Sequence, residues 1–174
     1  NSQHWRTLAV SVYLPTTLAL VGLGAVTPLI ALTAQDLGAS LAESAFVVSL
    51  LGIGALVGAL PAGIVADRLG EQRALVVSLV VDAACMAVAA FAPTFVVLGL
   101  AVFALGVSEA VVTIARQSFV TEFVPLTHRA RALSTLGGVF RIGSFIGPLA
   151  GAAVVTLRGL RAAYWPAIAT SLAA

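Results

Sequence analysis

The chain has 174 residues, of which 60% are hydrophobic and 9% charged, with a formal net charge of +2. Soluble domains carry roughly 25% charged residues, so this chain cannot cover a water-facing exterior, and lipid is its expected solvent. All nine basic residues are arginines, most of them at the ends of apolar runs, which gives no footprint for nucleic acid.

The first apolar run, 7–33, is too long for the hydrophobic core of a signal peptide and lacks a small-residue cleavage site, so it predicts a spanning helix. It carries Tyr13, Pro15, Thr16, Thr17, Thr27 and Pro28 but no acid. The prolines predict bends, and the threonines either line a pathway or bond their own backbone. Further runs follow at 44–66, 74–92, 94–117, 132–156 and 162–174. A hydrocarbon core of about 30 Å needs about 20 residues at 1.5 Å each, so five runs are long enough and the sixth is cut short. No period-two alternation persists over barrel-strand lengths. The expectation is an all-α integral membrane bundle of six transmembrane helices. Because the chain opens at Asn1 and stops inside an apolar run at Ala174, it reads as a piece of something longer. Trp5, Tyr164 and Trp165 lie near span ends and predict interfacial anchors, and Cys85 reads as a small buried hydrophobe.

Arginine placement sets the orientation. Arg6, Arg68, Arg73, Arg129 and Arg131 fall on one side, and Arg158 and Arg161 on the other with Asp36 and Glu43. Five against two puts the N-terminus in the cytoplasm.

A shift of 89 residues lays the second run over the fifth, so that Gly54, Gly58 and Gly70 meet Gly143, Gly147 and Gly159. The same shift maps the first run onto the fourth and the third onto the sixth. Copies separated by an odd number of helices face opposite ways, which predicts two inverted three-helix repeats, the architecture of transporter halves.

Two segments carry specific motifs. Gly63, Asp67, Arg68, Gly70 and Arg73 make a tight turn after the second run, with Gly63 predicted to admit a close helix and Gly70 to permit a backbone bend. This resembles the loop signature of the major facilitator superfamily. The resemblance implies a charge latch formed by Asp67, Arg68, Gly70 and Arg73, with Glu122 as the acid after the fourth helix. Glu71 and Gln72 stand where that family usually has a basic pair, so the latch is expected to be weakened or rewired. The fifth run contains Gly143, Gly147, Pro148 and Gly151, a small-residue face interrupted by a proline. It is similar to the helix-bend motif of drug:proton antiporters in the same superfamily. Those antiporters have an arginine early in the fourth helix, and here that position is Val102.

Ionisable groups inside a bilayer are expensive and mark functional candidates. Asp82, Glu109 and Arg141 lie roughly 12–15 Å from the nearer span end at 1.5 Å per residue, and we expect Glu109 and Arg141 to pair between the fourth and fifth helices. Arg116, near the end of its run, is expected to snorkel. Neither His4 nor His128 lies near a mid-span serine such as Ser144, so no base serves a nucleophile, and no cluster has metal-ligand spacing. The sequence therefore predicts no enzyme, metal or cofactor.

The resemblance implies a secondary transporter that moves a small amphipathic molecule out of the cell in exchange for protons. It would work in the cytoplasmic membrane, with a missing C-terminal half completing the cavity. The alternatives are a uniporter or importer, left open by Val102, and a non-transporting structural or receptor membrane protein.

Overall fold

The computed structural model describes residues 2–124 and 126–173, with side chains described at Thr17 and from Leu20 onward except at Phe119, Phe123 and His128. The sequence readings of the side chains of His4, Trp5, Arg6, Tyr13, Pro15, Thr16 and His128 lie outside the described residues.

Among the described residues six α-helices follow one another: α1 Ser2–Asp36, α2 Leu41–Leu69, α3 Glu71–Ala90, α4 Phe95–Phe123, α5 Leu126–Arg158 and α6 Tyr164–Ala173, with a short 3-10 turn at Arg161–Ala163. No strand occurs among the described residues. Among the described residues four stretches are long and apolar enough to cross a membrane: Leu41–Leu69, Glu71–Ala90, Phe95–Glu122 and Arg129–Arg158. In α1 the described apolar stretch is Leu20–Asp36. The helices overrun the uncharged runs at most ends, because backbone bonding continues through Asp67, Arg68 and Glu122 after the hydrophobic signal has stopped.

Helix starts are set by local chemistry. Ser40 and Glu43 form a reciprocal capping box, with Ser40 N–H donating to Glu43 Oε2 at 2.7 Å and Glu43 N–H to Ser40 Oγ at 3.3 Å. Thr94 caps α4 by accepting from Val97 N–H at 3.4 Å. One residue, Gly70, joins α2 to α3 at φ 78° and ψ 146°, a conformation essentially restricted to glycine.

Packing follows the small residues. α2 lies along α4 and α1 along α5, while α3 packs on α4 and α6. In the α2–α4 seam a Cβ on Gly54 would strike the Phe103 carbonyl, and one on Gly58 would stand 2.6 Å from Val107 O. In the α1–α5 seam a Cβ on Gly143 would stand 2.8 Å from Leu20 Cβ, and one on Gly147 2.6 Å from Gly24 C. Lipid provides no hydrophobic drive between helices, so such close backbone approach supplies the dispersion that holds them together. Gly63, by contrast, has open space beside it among the described residues, so no helix of this chain makes the close approach there.

The apolar core runs through α1, α3, α4 and α6 and includes Val26, Leu29, Ile30, Met86, Leu98 and Tyr164. Tyr164 is fully buried, not an interfacial anchor. Its hydroxyl lies 2.9 Å from Thr33 Oγ1, which itself bonds Leu29 O at 2.8 Å. A helix-capping stretch that tucks between α1 and α3 places the ring inside, and Thr33 satisfies its polar end. Trp165, one residue on, is exposed and meets Phe91 edge-on at 6.2 Å. The outward faces of α2 and α5 are apolar, with Leu56, Leu60, Phe145 and Leu149 exposed.

Candidate functional site

The seam between α3 and α4 buries charge. Ser78 and Asp82 are one helical turn apart on α3, within a buried stripe that also holds Ala74 and Met86. Opposite them, α4 offers Ser108, Glu109 and Arg116, the last two separated by seven residues, or about two turns. Asp82 is 1% exposed and Arg116 8%; Glu109 is half-buried. The carboxyls of Asp82 and Glu109 stand in hydrogen-bonding contact, and the Arg116 guanidinium is near enough to act on both through its charge. Ser108 Oγ reaches Asp82 as well and donates across the seam to Ser78 O at 3.0 Å. Two atoms of the cluster have no partner: Asp82 Oδ1 and Arg116 Nε. At 1.5 Å per residue Asp82 lies about 17 Å along α3 from Glu71, close to the middle of a 30 Å bilayer.

This arrangement corrects two expectations. Glu109 faces Asp82 and Arg116, not Arg141, which is exposed. α5 turns its glycine face to α1, and Arg141, two residues before Gly143, lies about 200° around the helix from that face at 100° per residue. Arg116 does not snorkel, because α4 continues to Phe123 and leaves the arginine two turns inside its helix. The participation of Ser78, Ser108 and Arg116 was missed from sequence. The seven-residue spacing of Glu109 and Arg116 was the available signal, and it needed knowledge of which helix faces α3.

A second site lies at the α2–α3 turn. A cleft of about 430 Å³ is lined by Asp67, Gly70, Glu71, Gln72, Arg73 and Glu122, together with Ala66 and Leu69. The loop residues therefore meet the end of α4, while Arg68 and Gly63 lie outside the cleft lining. Glu71 is in contact with Glu122 and close to Asp67, and its Oε2 is buried without a hydrogen-bond partner. The cleft wall is thus richer in acid than the loop motif alone implies.

The third group, Gly143, Gly147 and Gly151, abuts α1: a Cβ on Gly151 would stand 3.0 Å from Ala25 O. Pro148 sits inside the continuous helix α5. Ser144 Oγ is committed to Phe140 O at 2.9 Å, and among the described residues no group of three or more His, Cys, Asp or Glu could hold a metal ion.

The family model described as Major Facilitator Superfamily matches residues 12–174. The chain belongs to the major facilitator superfamily. Multidrug resistance protein MdtG of Enterobacter lignolyticus (strain SCF1) is 29% identical over 161 residues, covering 90% of this chain and 38% of that protein. MdtG of Serratia proteamaculans (strain 568) is 30% identical over 161 residues, covering 90% and 39%. The uncharacterized MFS-type transporter Rv1877 of Mycobacterium tuberculosis (strain ATCC 25618 / H37Rv) is 29% identical over 156 residues, covering 90% and 23%. The chain thus spans about two-fifths of the MdtG relatives it matches. Membership in the superfamily, with four membrane-length helices, makes this an integral membrane protein of a transporter family and not of an enzyme family.

Proposed function

We propose that this chain is the N-terminal six-helix half of a secondary active transporter that expels a small amphipathic molecule in exchange for protons. The N-terminus lies in the cytoplasm of a bacterial cell, and access alternates across the inner membrane. The observation that carries proton coupling is the burial of Asp82, Glu109 and Arg116 between two membrane-length helices. Each charge at mid-span costs roughly 2.5–3.5 kcal/mol on insertion scales, a cost that packing alone gives no reason to bear. Efflux draws on the multidrug resistance proteins that the chain resembles over 90% of its length.

Two inverted repeats are supported by the pairing of seams. Gly54 and Gly58 meet Phe103 and Val107, as Gly143 and Gly147 meet Leu20 and Gly24. These contacts keep the 89-residue register for α2 and α5 but give 83 for α1 and α4 in place of the single shift of 89 read from the sequence, a six-residue difference in the first loop of the repeat. A second half covers the exposed faces of α2 and α5, including Gly63 and Arg141, and supplies the other wall of the substrate cavity. Asp67, Arg68, Gly70, Arg73 and Glu122 act as a latch in one state, loosened by Glu71. Gly143, Gly147, Pro148 and Gly151 shape the helix against α1. Val102, 1% exposed where the antiporters have arginine, favours a second reading, a uniporter or importer that moves solute down its gradient.

The test uses the intact protein in everted vesicles energised by a pH gradient, with a panel of lipophilic cations, dyes and antibiotics. Substrate-triggered collapse of the gradient supports antiport. Equilibrative flux without collapse supports the uniporter, and no flux of any compound rejects transport of this substrate class.

A further inference from the structure

The charges of the α3–α4 seam do not balance as written. Two carboxyls, Asp82 and Glu109, face one guanidinium, Arg116. Fully ionised, the cluster carries one net negative charge in a place where Asp82 is 1% exposed and Arg116 8%. Two carboxylates are acceptors only, so their mutual hydrogen-bonding contact requires a hydrogen between them. Among the described residues the other titratable groups of the neighbouring helices lie away from the cluster; on α5, which also meets α4, Arg131, Arg141 and Arg158 are exposed and Arg129 is in its first turn. On α3 the nearest titratable group is the Cys85 thiol, one turn from Asp82. The charged groups of α2 (Glu43, Asp67 and Arg68) lie near its ends, as does Glu122 on α4. On α1, Asp36 ends the helix, and on α6 the titratable Tyr164 is engaged with Thr33.

We infer that Asp82, Glu109 and Arg116 form a site for one exchangeable proton, shared between the two carboxyls, with Arg116 as the fixed counter-charge. This deepens the antiport reading and rests on it for its role in transport. With the proton bound, the cluster is neutral and the seam can stay dry. Without it, one uncompensated charge remains, and burying such a charge costs several kcal/mol. Loss of the proton therefore favours any arrangement in which water reaches α3 and α4. Proton occupancy biases the two conformations through that differential cost. The unpartnered Asp82 Oδ1 and Arg116 Nε are the atoms that entering water would satisfy. The site lies inside the helix seam, away from the exposed faces of α2 and α5, so substrate and proton do not compete for the same side chains.

The charge balance makes the test quantitative. Infrared pH-difference spectra of the purified intact protein in lipid nanodiscs count protonated carboxylic acids by their carbonyl stretch, independently of transport. The difference between wild type and variants isolates this cluster from every other carboxyl of the intact protein. At neutral pH the wild type is expected to show one such group more than Asp82→Asn or Glu109→Gln, each of which leaves one carboxylate against Arg116. Arg116→Gln leaves two carboxyls with no cation, so neutrality takes two protons and the band gains one group over the wild type. Asp82→Glu restores the wild-type intensity if the first variant folds poorly. Equal band intensity in the wild type, Asp82→Asn and Glu109→Gln overturns the inference. In vesicles, gradient collapse that persists in both variants overturns its role in coupling while leaving antiport intact. Absence of flux in the wild type rejects the transport reading but leaves the infrared count standing.

Discussion

Replacing Gly147 by alanine tests whether the α1–α5 seam is held by close backbone contact. The new Cβ would stand 2.6 Å from Gly24 C, 2.7 Å from Ala25 N and 2.7 Å from Gly24 Cα. All three are backbone atoms, so no side chain can swing aside. Reaching an ordinary contact of about 3.4 Å requires the helices to part by about 0.8 Å, and a gap of 0.5–1 Å forfeits a quarter to a half of each lost dispersion contact. Gly143 and Gly151 share the seam, so the loss spreads along about two turns. Overpacking of this kind costs about 1–3 kcal/mol, against a helix-propensity gain of up to about 1 kcal/mol for Gly→Ala. The net expectation is a loss of about 1–2 kcal/mol. Gly138→Ala on the same helix is the control: open space surrounds it among the described residues, and it should hold or gain stability. Unfolding of the purified protein in mixed micelles by a denaturing detergent reads both variants. If Gly147→Ala is as stable as Gly138→Ala, the seam is not set by backbone contact and the reasoning fails.

Gly70→Ala forces a Cβ into a backbone at φ 78° and ψ 146°, at a cost of about 1–3 kcal/mol; faster proteolysis at the α2–α3 turn is the expected readout, and an unchanged cleavage rate would count against it. Tyr164→Phe removes one buried hydrogen bond to Thr33 and should cost about 0.5–1.5 kcal/mol. Combined with Thr33→Val it should cost less than the sum of the two, and strict additivity would mean that the hydroxyls are not coupled. Ser40→Ala breaks the capping box and should lose about 0.5–2 kcal/mol, seen as faster amide exchange at Glu43 and Ser44 with the far end of α2 unaffected.

Much of this protein was legible in its sequence because a bilayer imposes a one-dimensional rule. Every backbone group must be satisfied inside the segment, so length and hydropathy alone predict helices, and α2 to α5 lie where uncharged runs placed them. Gly70, Asp67 and Arg73 were readable as a turn because a glycine between two helices has few other uses. The sequence could not decide which faces meet. Glu109 lies on a helix with Arg116 two turns away and Arg141 on a neighbour, and composition treats both arginines alike. The tertiary structure separates them, because α5 spends its glycine face on α1 while α4 turns Glu109 and Arg116 toward Asp82. Tyr164 reads as an anchor by its position near a span end, yet it is buried because α6 tucks between α1 and α3. Membrane insertion is a property of each helix summed over its own residues. Pairing of buried charges depends on the rotation of one helix about its axis relative to another, and only packing fixes that angle.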